Sequence, residues 1–156
     1  MLFSFLTAVL IHETGHILAL RLTGGKVVGA ALSPFGITVK AAYPVSYKKT
    51  LFIDLSGPLF GILAYLLFRG SAFSYYNLFL SLFNLLPVSS LDGGKAAASL
   101  LRLFLSESLA EGIAKAISTA TLILLWIASS YATLFLDASP SLFFITLWLF
   151  LSTCLS

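Results

Sequence analysis

Residues 2–22 read LFSFLTAVLIHETGHILALRL. As a helix this stretch is long and apolar enough to cross a bilayer, which takes about 20 residues. Set into it is His12-Glu13-Thr14-Gly15-His16. Side chains four apart share one helix face, so both imidazoles are expected to point the same way. That spacing suits a single Zn²⁺, and the glutamate between them can act as a base toward water. Ionisable groups at membrane depth are costly and need a partner or a task. The plain alternative is a polar cluster that joins helices or lines a proton path.

Composition agrees with a membrane location. The chain has 156 residues, 59% hydrophobic and 10% charged, with mean hydropathy +1.03. An average soluble domain carries about 25% charged residues. A soluble chain this small cannot hide so much apolar surface, so lipid is expected to cover part of it. The net charge of +3 is small. The cations fall in interhelical loops and form no run suited to nucleic acid, so no nucleic-acid partner is expected. Cys154 is the single cysteine. It can form neither an internal disulfide nor a cysteine metal motif. The first eleven residues lack a basic leader and a small-residue cleavage site, so they read as the outer part of a mature spanning helix.

Thr23-Gly24-Gly25 ends the first helix. Stretches 26–32 and 36–42 are rich in Val, Ile, Thr and Ala, with Ser33-Pro34-Phe35 between them, and predict a short membrane-associated β-hairpin. Residues 43–50 look interfacial. Further spans are expected at 51–68, 73–86, 118–136 and 142–155. A helix over 95–105 and an amphipathic stretch over 107–117, leading into the span from 118, lie between the third and fourth of the five spans. The expected class is mainly α: a polytopic transmembrane helical protein with about five spans. Residues 1–100 form a membrane-embedded core, and 101–156 add C-terminal helices to the same domain. Arg21, Lys26, Lys40, Lys48 and Lys49 crowd the first interhelical loop. The positive-inside rule then places that loop, and the His12/His16 end of the first helix, on the cytoplasmic side.

Catalytic zinc usually takes three protein ligands and keeps one open position. The remaining carboxylates are Asp54, Asp92, Glu107, Glu111 and Asp137. Asp137 falls on the opposite side of the membrane. Glu107 and Glu111 suit ion pairing on a surface helix near Lys115. Asp54 suits the start of the second span, where the helix dipole and lysines favour it. Asp92 stands in Asn84-Leu85-Leu86-Pro87-Val88-Ser89-Ser90-Leu91-Asp92-Gly93-Gly94. Proline breaks the helix there and glycines permit a tight backbone. Breaks at membrane depth are tolerated where they line a protein or water cavity. An ordinary Asp-Gly turn or helix cap is the alternative.

His12-Glu13-x-x-His16 together with Asn84-x-x-Pro87-x-x-x-Leu91-Asp92-Gly93-Gly94 resembles the site-2 proteases, intramembrane zinc metalloproteases. Within them the chain is most similar to the small bacterial branch that includes stage IV sporulation protein FB. The resemblance covers about residues 1–100. It implies His12, His16 and Asp92 as ligands of one Zn²⁺ per chain, Glu13 as catalytic base, and Asn84 as an oxyanion or substrate contact. It implies a membrane-protein substrate, a lipid bilayer, a regulatory membrane partner and a bacterial cell membrane. The hairpin resembles an element that holds substrate by strand addition. Ser56-Gly57-Pro58 resembles a small-Gly-Pro element of the second core helix. Two positions depart from the pattern: Gly61 stands where many relatives carry Asn, and Ser90 where many carry Pro. The rival functions are a catalytically silent relative that binds membrane proteins, and an ion transporter.

Overall fold

The computed structural model describes residues 2–33, 36–42, 46–137, 139 and 141–154; side chains at 27, 28, 30–33, 36–42, 142, 152 and 154 lie outside that description. In chain order the elements are α1 (Leu2–Leu22), β1 (Lys26–Ser33), β2 (Gly36–Ala42), α2 (Tyr47–Leu67), α3 (Ala72–Asn84), α4 (Asp92–Leu101), α5 (Glu107–Phe135) and α6 (Ser141–Cys154).

α1 stops where glycine allows it. Gly24 takes φ +85°, the left-handed region that a side chain resists. The next amide, Gly25 N–H, reaches back to Leu20 O at 2.9 Å, closing the helix end. Lys49 Nζ adds a bond to Thr23 O at 2.9 Å. This lysine, which the sequence assigns to topology and headgroups, thus also ties the start of α2 to the end of α1.

β1 and β2 pair antiparallel from Lys26↔Ala42 to Ser33↔Gly36, with a shift between Val27 and Gly29. The expected turn at Pro34-Phe35 lies outside the described residues, as do 43–45 of the interfacial stretch. The pairing places neither strand at a membrane, so a membrane-associated hairpin is not supported as such.

α1, α2, α3 and α4 form the packed half of the molecule. Gly15 of α1 lies against α2, where an added Cβ would meet Ser56 O at 2.6 Å. Gly61 of α2 lies against α3, where a Cβ would run into Ser81 Oγ and stand 3.2 Å from Asn77 O. Ala19, Leu20 and Ile53 fill the α1–α2 seam. A second core gathers Val88, Leu91, Leu122 and Leu149, so the segment between α3 and α4 packs under α5 and α6. Ser89 N–H donates to Ser118 Oγ at 2.9 Å and fixes that segment to α5.

The expectation of five spans is corrected. Among the described residues three helices are long and apolar enough to cross a membrane: α1, α2 and α5. α3 has 13 residues and α6 has 14. At 1.5 Å per residue each rises about 20 Å, short of a hydrocarbon core of about 30 Å. Pro87 and the turn it imposes end α3 early. The amphipathic stretch 107–117 and the span 118–136 are one continuous helix, α5. Ala138 and Pro140 of the expected turn before α6, and Leu155 of the expected last span, lie outside the described residues.

The α2–α3 contact gives a direct test. Gly61→Ala is expected to lower stability by about 1–3 kcal/mol through overpacking, read by thermal unfolding in detergent. Adding Ser81→Ala should recover part of that loss.

Candidate metal centre

His12 and His16 stand one turn apart on α1. Their rings meet edge to face, with centroids 4.9 Å apart. Asp92 is the first residue of α4, where the helix N-terminus favours a carboxylate. The two elements lie eighty residues apart in sequence and meet at one point. His12 Nε2 lies 2.9 Å from Asp92 Oδ2. His16 Nε2 lies 3.0 Å from the same oxygen and 3.2 Å from His12 Nε2. His12 and Asp92 are buried.

The proton count on His16 shows what this triangle suits. Its Nδ1–H donates to Ile53 O at 2.8 Å, because a carbonyl can only accept. In the neutral imidazole Nε2 then carries a lone pair. That lone pair faces a carboxylate oxygen and another imidazole nitrogen, so three donor atoms crowd around a shared point. A second-ring-nitrogen bond of this kind orients metal-ligating histidines generally. Tetrahedral zinc with ligand bonds of about 2.1 Å sets its ligand atoms about 3.4 Å apart. The three atoms here need open only slightly to meet that, and their donor set of two nitrogens and one oxygen fits zinc. His12 is less well supported, since its Nδ1 is buried with no hydrogen-bond partner among the described residues.

Without a metal the triangle is held by protons instead: burial pushes the Asp92 carboxyl up, but hydrogen bonds from Nε2–H of His12 and of protonated His16, with the charge of His16 and Lys95, outweigh it and hold the group well below the usual carboxylate range. Lys95 Nζ sits 3.3 Å from the other oxygen, Oδ1. That contact leaves Oδ2 to the histidines.

α2 shapes the site without supplying a ligand. A Cβ at Gly57 would fall on His16 Nε2, the atom that faces Asp92 and His12. Ile53 O accepts from Ser56 Oγ at 2.6 Å as well as from His16. Pro58 removes the N–H that would have bonded Asp54 O in the same turn. The turn before α4 is equally tight: a Cβ at Gly93 would strike Leu85 O, and one at Gly94 would strike Val88 O. Glycine at both positions lets the chain fold back and present Asp92.

The remaining candidates separate cleanly. Glu13 is half-buried and within electrostatic reach of His12, His16, Asp92 and Lys95; among the described residues it makes no hydrogen bond. Asn84 ends α3 and donates its amide to Leu80 O at 2.9 Å. No hydrogen bond joins it to the triangle among the described residues. Asp54 is buried and accepts from Ser99 Oγ at 3.4 Å, outside the histidine–aspartate group. Glu111 pairs with Lys115 at 3.6 Å on one helix face, and Glu107 accepts from Tyr47 O–H at 3.3 Å. The sequence marked Ser56-Gly57-Pro58 as an element of the second core helix, and the structure shows Gly57 making room for the His16 ring; Ile53 O, a backbone acceptor, left no signal in the sequence.

Comparison with known families bears on the second half of this site. Residues 70–128 match the profile of peptidase family M50, the site-2 protease family. The matched segment holds Asn84 and Asp92 and leaves out the two histidines. Comparison with curated proteins gave no match. The match supports the resemblance through the second motif, at the level of the family and not of the sporulation branch.

Gly57→Ala should displace His16 Nε2 and weaken zinc binding about 10–100-fold, the usual scale for disturbing a ligand's support. Zinc competition against a chromophoric chelator reads this. Gly112→Ala, where an added Cβ meets nothing within 4 Å, should leave affinity unchanged.

Proposed function

We propose that the chain is an intramembrane zinc endopeptidase that hydrolyses a peptide bond in or near a transmembrane segment of a membrane-protein substrate. One observation carries the reading: His12 and His16 from α1 and Asp92 from α4 bring three ligand atoms to one point, with Glu13 in the same helical turn. The family M50 match over the Asp92 segment supports it independently.

In this reading His12, His16 and Asp92 hold one zinc ion. Zinc in such a site supplies a Lewis acid that polarises a carbonyl and makes water a better nucleophile. Glu13 takes a proton from water and passes it to the leaving amine. Asn84 spends one amide hydrogen on Leu80 O and keeps a second for an oxyanion. Asp92 is fixed by its own helix start and by Lys95, so the ligand set is held before substrate arrives. Three membrane-length helices favour an integral membrane location.

Further parts of the proposal rest on the resemblance and on loop charge. The substrate helix must unwind before its amides can react, and β1 and β2 offer strand edges for the extended segment. The lysine-rich first loop puts the site toward the cytoplasm. A bacterial membrane and a regulatory membrane partner belong to the same reading.

Metal analysis tests the core. Purified wild-type protein is expected to hold about one zinc per chain, the stoichiometry of a mononuclear site, and Asp92→Ala should lose most of it. Unchanged occupancy in Asp92→Ala removes that residue from the ligand set and sinks the reading. Glu13→Gln should keep its zinc and cut single-span test proteins in vesicles some 10²–10⁴-fold more slowly, the range for loss of a general base. Equal cutting by Glu13→Gln would assign the base elsewhere.

A further inference from the structure

A cavity of about 400 Å³ is walled by α2, α4 and α5. Gly94 and Lys95 form part of its lining, and Lys95 Nζ reaches Asp92 Oδ1 at 3.3 Å, so one side chain links the cavity to the histidine–aspartate group. In a chain with only 10% charged residues, five charged side chains face this one space: Asp54, Lys95, Arg102, Glu111 and Lys115.

Four of these have carboxylate, ammonium or hydroxyl partners. Lys115 pairs with Glu111 at 3.6 Å, Lys95 with Asp92 at 3.3 Å, and Asp54 accepts from Ser99 at 3.4 Å. Arg102 differs. Its guanidinium carbon stands 5.9 Å from the centre of the Tyr47 ring, and its Nε is buried with no hydrogen-bond partner among the described residues. No carboxylate pairs with it among those residues. With Lys95 held by Asp92 and Lys115 by Glu111, Arg102 is the cation of this lining without a carboxylate partner among the described residues, since Asp54 accepts from Ser99. A partly buried guanidinium without an anion is poorly compensated, and its planar fork matches a carboxylate in two-point contact.

We propose that this cavity is a substrate subsite for an acidic side chain, with Arg102 receiving its carboxylate; the proposal rests on the peptidase reading above. The spacing sets where that acid lies. Arg102 stands at the C-terminal cap of α4, about 15 Å along the axis from Asp92 at 1.5 Å per residue. An extended peptide covers that in four or five residues at about 3.4 Å each. The substrate therefore carries Asp or Glu four or five residues from the scissile bond.

Zinc-chelating peptides test this without a known substrate. Extended peptides bearing a hydroxamate at either end, with Glu or Gln as the fourth or fifth residue from it, are titrated into zinc-loaded protein in a zwitterionic detergent. The Glu probe of one series is expected to bind roughly tenfold tighter than its Gln twin. Arg102→Gln should erase the difference while keeping zinc content and Gln-probe affinity, and Arg102→Lys should restore part of it. Zinc-dependent binding that ignores Glu against Gln in both series overturns the subsite and leaves the peptidase reading standing. Absence of zinc-dependent binding by any probe overturns both. Displacement by phosphatidylglycerol with no preference for the acidic probe would give the cavity to lipid and overturn the proposal.

Discussion

α1 and α2 approach each other so closely that two positions tolerate only hydrogen. Gly15 lets α1 rest on the backbone of Ser56, and Gly57 lets α2 rest on the ring of His16. From that approach comes the bond between His16 Nδ1–H and Ile53 O. The bond fixes the tautomer, and the tautomer fixes which nitrogen carries the lone pair. A wider seam would leave a buried imidazole with an unsettled proton, and a buried polar group without a partner costs on the order of 1–3 kcal/mol. The candidate metal centre is therefore a product of helix spacing before it is a product of residue identity.

The third candidate ligand arrives by a different route. Asp92 is delivered by a turn, and the turn is compact because Gly93 and Gly94 accept carbonyls where side chains would stand. Ser118 of α5 holds the turn through Ser89 N–H, while Val88 and Leu91 anchor it in the core shared with Leu122 and Leu149. α5, which adds nothing to the histidine–aspartate group, thus sets the position of Asp92. Lys95, a turn further along α4, occupies the second oxygen of Asp92. Ligand, glycines and lysine lie within four consecutive residues, Asp92-Gly93-Gly94-Lys95.

The grouping of His12, His16 and Asp92 was legible in the sequence because helical spacing and a proline-glycine break are local signals. His12 and His16 follow from a four-residue step, and Asp92 from the break that precedes it. Asn84 was legible as a motif residue, yet its hydrogen bond runs to Leu80 within its own helix, which no spacing rule foretells. The span count was not legible, since hydropathy sees composition and not where a helix ends; α3 and α6 are apolar but short. The amphipathic stretch 107–117 was expected to lead into the span from 118, and the two form one helix, because a change from amphipathic to apolar need not interrupt the backbone. Ile53 O and the room at Gly57 depend on the neighbour across a helix pair, and a single chain read in order does not contain that neighbour.

α5 runs for 29 residues, about 43 Å at 1.5 Å per residue. The hydrocarbon layer is about 30 Å deep, and a tilt of about 20° shortens the projection only slightly. Several residues must overhang. The end that carries Glu107, Glu111 and Lys115 is the polar one, so that end projects among the headgroups. It is also the end that walls the cavity beside Asp92. Hydrophobic mismatch at this one helix would thus couple bilayer thickness to the depth at which the cavity meets water.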